Sequence, residues 1–207
     1  LVDVSGSELF GTENALKKNI ITEISATLAF SALQNNDKVG LILFSDDVEL
    51  FIPPSKGKTH VLRIIRELIE FKPLSKKTDI SEALRFLIGV IKKKSIAFIL
   101  SDFISIDYEK TLKICANKHD VTGIRIFDKL EEKIPNMGIV KMFDHETEET
   151  KLIDTSSSLL RKKYESYNIA NSKRFNQLFS KNGAGTLNCR TDESYVKKLL
   201  SYFKKRG

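Results

Sequence analysis

The chain has 207 residues, a net charge of +7, 41% hydrophobic and 29% charged residues, a balance that supports a buried core and excludes a disordered or fibrous protein. No stretch carries the roughly 20 apolar residues of a membrane span, no signal peptide is legible, and two cysteines, Cys115 and Cys189, are too few for a disulfide scaffold. Residues 161–207 hold 12 Lys/Arg against 3 Asp/Glu, so the positive charge sits at the C-terminal end and the rest is close to neutral.

In chain order, Leu1-Val2-Asp3-Val4 reads as the end of a buried strand. That abrupt start suggests an upstream N-terminal region, with a membrane anchor or second domain there left open. A helix is expected over about 13–34, with Leu16, Ile20, Ile24, Leu28 and Ala32 on one stripe. Val39 to Phe44 is a continuous apolar run, as in a strand covered on both faces. Val48 to Ile52 follows after the turn Ser45-Asp46-Asp47, which implies an antiparallel hairpin, and Pro53-Pro54 is expected to end that strand. Val61, Ile65 and Leu68 mark a second helix; Ile80, Leu84, Leu87 and Ile91 mark a third, with Asp79 as its cap. A strand over Ile96 to Leu100, a helix from about Glu109 to Asn117 and a strand over about Val121 to Phe127 complete a strand–helix alternation.

That alternation predicts an α/β fold: a doubly wound, mostly parallel sheet with one antiparallel edge strand and helices on both faces. Residues 1–128 form the expected core. Residues 129–207 form a C-terminal extension packed on it: a hairpin of Ile139 to Phe143 with Thr150 to Ile153, a basic helix over about Ser157 to Lys181, a short strand at Thr186 to Cys189, and a final helix carrying Tyr195, Leu199 and Phe203.

The chemistry concentrates in Asp3-Val4-Ser5-Gly6-Ser7. An acid and two hydroxyls at spacing i, i+2, i+4 follow a buried strand, and ligands of open α/β sheets bind at the carboxyl ends of strands where the strand order reverses. Asp102 follows another buried strand, and Thr78 precedes the third helix. Together they make an all-oxygen set suited to a hard cation, with Mg²⁺ favoured over a carboxylate-rich Ca²⁺ cage and Mn²⁺ also possible. Neutral hydroxyls leave much of the cation's charge uncancelled, so the site is expected to attract an external carboxylate. The three histidines lie in separate segments, which argues against zinc. Ser55-Lys56-Gly57-Lys58-Thr59 ends like a phosphate-binding loop, but Ile52 stands where the pattern needs glycine.

Asp3-x-Ser5-x-Ser7, Thr78 in Thr78-Asp79-Ile80 and Asp102 in Leu100-Ser101-Asp102-Phe103 resemble the metal-ion-dependent adhesion site of von Willebrand factor A domains. The wider text (Val2 to Thr12, Val39 to Pro54, Gly57 to Leu68, Ile99 to Phe103 and Thr191 to Val196) is similar to one bacterial branch, domain of unknown function 58. The resemblance implies a metal held by Asp3, Ser5, Ser7, Thr78 and Asp102 at the sheet's carboxyl edge, and a working link to MoxR-type AAA+ ATPases. Lys76-Lys77 before Thr78 depart from the small residues common there.

The expected function is a metal-dependent, non-enzymatic protein-binding module in the cytoplasm. It is expected to recognise an acidic group of a partner, such as a MoxR-type ATPase or its substrate. Two alternatives stay open: a Mg²⁺-dependent phosphatase or phosphotransferase with Asp3 as acceptor, and nucleic-acid binding by the basic C-terminal helices.

Overall fold

The computed structural model describes residues 1–5, 14–105, 107–143 and 150–206, with the side chains of 14–16 and 142–143 outside the description. Among the described residues the elements follow one another as β1 (Val2–Asp3), α1 (Asn14–Gln34), β2 (Val39–Phe44), β3 (Val48–Ser55), α2 (Lys58–Glu70), α3 (Ile80–Val90), β4 (Ile96–Ser101), α4 (Glu109–Lys118), β5 (Asp120–Phe127), α5 (Lys129–Glu132), β6 (Ile139–Phe143), β7 (Thr150–Asp154), α6 (Ser158–Lys181), β8 (Gly185–Arg190) and α7 (Tyr195–Arg206).

Six strands make one sheet in the order β3-β2-β1-β4-β5-β8. Every pairing is parallel except β2 with β3, so the expected doubly wound sheet with one antiparallel edge is what forms. β1 is only two residues long, yet it is the hinge of the topology. Its neighbours β2 and β4 lie on opposite sides, with Val2 opposite both Leu43 and Leu100. The strand order therefore reverses at the carboxyl end of β1, where a crevice opens.

Apolar side chains fill both faces of the sheet. Ile42, Phe44, Ile99 and Val121 pack on one side with Leu84, Leu87, Leu112, Phe175 and Phe179 from α3, α4 and α6. Val2, Leu41, Leu43, Leu100, Ile124 and Ile126 pack on the other with Ile20, Ile24, Ile64 and Leu199 from α1, α2 and α7. The alternation along each strand splits one apolar run between two cores. Cys115 and Cys189 are both free and buried, and burial pushes each thiol up to about 11.

The C-terminal part does more than pack on the core. β8 runs parallel to β5 as the sixth strand, and α6 lies across β5. Gly123 is what allows that approach: a Cβ there would stand 2.6 Å from the Phe179 ring and 2.8 Å from Phe175, in an aromatic cluster that cannot yield. Gly123→Ala is expected to lower stability by about 1–3 kcal/mol through overpacking. Gly89→Ala, on α3 with no atom within 4 Å of the added methyl, should instead raise it slightly. Urea melts of the two variants measure the difference.

Two sequence expectations need correction. Pro53-Pro54 do not end β3, which continues to Ser55 with Val39 opposite Ser55. An edge strand tolerates proline because one side of its ladder has no partner to lose. β3 therefore leads directly into the Lys56-Gly57-Lys58 loop. As an antiparallel edge strand with Ile52 in the glycine position, it still lacks the phosphate-loop pattern, and Gly57, at φ 103°, caps α2. The second correction is α5, a single turn after β5 that periodicity did not register. Asp128 and Glu131 close it as a reciprocal capping box.

Candidate metal centre

Asp3 leaves β1 between β2 and β4 and is 1% exposed. Its carboxylate is held locally and across the sheet. The Ser5 N–H donates to Oδ1 at 3.0 Å, and the Ser101 hydroxyl, at the end of β4, donates to Oδ2 at 2.7 Å. On the other side, the end of β2 places Thr78: the Asp79 N–H donates to the Ser45 carbonyl at 2.8 Å. The Thr78 hydroxyl then reaches 2.6 Å from Ser5 Oγ and donates to it. Asp79 itself turns to the helix, accepting from the Ser81 and Glu82 N–H groups as the α3 cap.

Asp102 directly follows β4, and Oδ1 accepts from the Ile104 N–H at 3.1 Å. The turn is held by Phe103, whose φ of 57° is rare for a bulky residue. Phe103 is fixed by ring contacts of 4.5 Å to Phe175 and 5.3 Å to Phe179. Strain of this kind persists only where packing over-determines it; here it aims the residue before it.

Asp3, Ser5, Thr78 and Asp102 thus stand at one rim of the sheet. Ser7 and Thr12 lie outside the described residues. Lys76 and Lys77, the departure from the family pattern, are both exposed.

The electrostatics of this group are unbalanced. Asp3 is pushed up from 3.8 to about 7, first by burial and then by repulsion from the Asp102 carboxylate, against the opposing pull of the Ser101 and Ser5 hydrogen bonds. Asp102 Oδ2 is buried with no hydrogen-bond partner. Two neighbouring buried carboxylates, one oxygen of which has no hydrogen bond and only the Lys17 ammonium at 3.6 Å, are what a hard cation relieves. With two hydroxyls beside them, the donor set fits Mg²⁺ or Mn²⁺. Among the described residues no three His, Cys, Asp or Glu side chains are grouped to hold a metal, so a cation here would rest on two carboxylates and the neighbouring hydroxyls. His60 sits instead against the Val39 carbonyl at 2.8 Å.

Four residues that motif reading did not single out shape the site. Ser101 anchors Asp3. Lys17, on α1 and 1% exposed, places Nζ 3.6 Å from Asp102 Oδ2 and 3.1 Å from Glu131 Oε1. Arg125 Nε donates to the Asp102 carbonyl at 3.3 Å. Lys17 did leave a signal: it precedes Ile20, Ile21 and Ile24 by three, four and seven positions, and so lies on the buried stripe of α1. Arg125, inside an apolar strand run, is a similar anomaly. Glu131 and Ser101 left none.

Comparison with known proteins agrees with the architecture. An aerotolerance-related membrane protein from Bacteroides fragilis superposes with a TM-score of 0.60 at 16% identity, over 99% of this chain and 96% of that one. BatB from Bacteroides thetaiotaomicron gives 0.58 at 15%, over 99% and 94%. In sequence, the uncharacterized protein Rv1480 of Mycobacterium tuberculosis is 24% identical over 150 residues, 71% of this chain. MAV169 of Mycobacterium avium is 26% identical over 158 residues, covering 75% of this chain and 93% of that protein. The chain spans about half the length (47%) of Rv1480. A family model described as protein of unknown function DUF58 matches residues 1–174. With that match running through the site and most of the sheet, the chain belongs to the DUF58 family and has the mixed α/β fold of von Willebrand factor A type.

Proposed function

We propose that this chain is a metal-dependent protein-binding module that recognises an acidic group of a partner and carries out no catalysis of its own. The observation that carries the reading is the pair of buried carboxylates at the switch point, with Asp102 Oδ2 lacking a hydrogen-bond partner and Asp3 pushed up to about 7. Asp3, Ser5, Thr78 and Asp102 would hold Mg²⁺ or Mn²⁺, joined by Ser7. The cation supplies a strong electrostatic attraction for a carboxylate oxygen of the partner.

The chain's own residues do the rest. Ser101 and the Ser5 N–H fix the Asp3 carboxylate. The Ser45 carbonyl fixes the Thr78 loop through Asp79, and Arg125 fixes the main chain at Asp102. A rigid rim of this kind binds without reorganising, which lowers the entropic cost of recognition. Family resemblance suggests a MoxR-type AAA+ ATPase or its substrate as partner, with this chain acting as adaptor. Among the described residues no helix is long and apolar enough to cross a membrane.

A pull-down tests the reading. The protein is used as bait against the MoxR-type ATPase of the same genome, in Mg²⁺ and in EDTA, with Asp3→Ala alongside. Capture in Mg²⁺ that is lost in EDTA and in the variant is the expected result. Capture unchanged by both would end the metal-dependent reading.

A further inference from the structure

Arg125 poses a problem that the metal centre does not solve. It lies on β5, is 7% exposed, and burial works against its charge. Its Nε is used by the Asp102 carbonyl, and its guanidinium carbon stands 4.4 Å from the centre of the Phe127 ring. The two terminal nitrogens make no hydrogen bond or ion pair among the described residues. Asp102, Glu131 and Glu132 lie close enough to favour its charge, but none accepts from the outer N–H groups, which are left open to the space beside β5.

A cavity of about 140 Å³ opens beside it, between the carboxyl end of β5 and α6. Asn168, Ser172 and Lys173 line it from one face of α6, at positions i, i+4 and i+5. Neither the Ser172 hydroxyl nor the Lys173 ammonium has a protein partner among the described residues. Glu132, the acid at the cavity, pairs outward with Arg190 at 3.3 Å. The cavity therefore presents two cations and a hydroxyl, beside the Asn168 amide and a Glu132 carboxylate that is engaged by Arg190. At about 30 Å³ per water it has room for a small group of roughly five waters' volume, well below the size of a drug-like ligand site.

We propose that this cavity is an oxyanion-binding site, taking a carboxylate or phosphate group on the fork of Arg125 with Lys173 and Ser172 as further donors. A guanidinium fork matches two oxygens of either anion. The site is separate from the metal centre in its donors, but Arg125 joins them: the same side chain that would hold the anion holds the Asp102 carbonyl. An occupied cavity would therefore fix the main chain on which Asp102 stands.

The experiment is a titration in EDTA, so that a metal-bound anion cannot contribute and failure of the metal reading leaves this result intact. Sodium phosphate and sodium acetate are titrated separately against the whole chain, at ionic strength matched with sodium chloride. Thermal unfolding and calorimetry are the readouts. A saturable stabilisation beyond that of chloride is expected with at least one anion, and which one responds assigns the ligand as phosphoryl or carboxylate. Lys173→Met should weaken it by about threefold or more and Lys173→Met/Ser172→Ala by about tenfold, while Arg125→Gln should abolish it. Should Arg125→Gln fail to fold, the two α6 variants, which change only side chains at the cavity's surface, decide the matter. Responses to both anions no larger than to chloride, or α6 variants that bind as the unmodified chain does, would overturn the proposal.

Discussion

Lys17→Met is expected to destabilise the metal-free protein by about 3–5 kcal/mol, the usual cost of removing one member of a buried ion pair. The lysine ammonium stands within ion-pair distance of Asp102, at 3.6 Å, and it also holds Glu131 at 3.1 Å. Asp102 is buried and Glu131 partly so, with side chains 6% and 11% exposed, so solvent screens little of the loss. Burial already raises Glu131 above its ordinary range, and the lysine charge opposes that rise. Methionine keeps the apolar stem's volume and so separates loss of charge from loss of packing. Urea unfolding in EDTA measures the effect. Adding Mg²⁺ to the variant should restore part of the stability, because a cation at Asp3 and Asp102 takes over the neutralisation of Asp102. Adding Asp102→Asn to the variant should also restore part of it without metal. A variant that unfolds at the same urea concentration as the unmodified chain would show that the ion network contributes nothing to the fold.

Asp3→Asn is expected to weaken Mg²⁺ binding by about 100-fold or more, the upper range seen even for residues that only support metal ligands. At the same time it should stabilise the metal-free protein by up to about 4 kcal/mol at pH 8, the full value of a rise from 3.8 to about 7. The two effects share one cause. Asp3 is a carboxylate of ordinary value 3.8 that folding raises to about 7, so the folded state holds a proton that the unfolded state has released. Below pH 4 both states are protonated and the residue costs nothing. As pH rises from about 4 to 7 the unfolded state gains the advantage of ionising, and stability falls; above about 7 the full cost is present. Asparagine avoids that cost while keeping the shape that Ser101 and the Ser5 N–H address. The gain from Asp3→Asn should therefore shrink towards zero as the pH is lowered to about 4. Calorimetric Mg²⁺ titration and melts across that pH range read both arms. A variant that loses stability at pH 8, or that binds Mg²⁺ as before, contradicts the assignment. Such opposed effects on stability and function are common where a site holds like charges together for a ligand.

The order of elements was legible because each carries its own period. Ile80, Leu84 and Leu87 can only line one face of a helix, and Val39 to Phe44 can only be a strand buried on both sides. The candidate ligands were legible for a local reason too: Asp3-x-Ser5-x-Ser7 lies within five residues, and its neighbours carry a family's text. Pro53-Pro54 misled because proline's effect depends on whether the strand is at an edge, and edge position is decided by pairing, not by the strand's own residues.

By itself, then, the sequence determined the alternation of strands and helices, the α/β class, and which acids and hydroxyls follow which strands. Only the tertiary structure decided that β1 lies between β2 and β4, which brings Asp3 beside Asp102 across 99 residues of chain. It alone set Lys17 against Asp102 and Glu131, and left Arg125 facing a polar cavity. The physical reason is that periodicity records how a segment meets water and core. The energy of a charge depends instead on which other charges the fold brings within a few ångströms, and no local pattern encodes that.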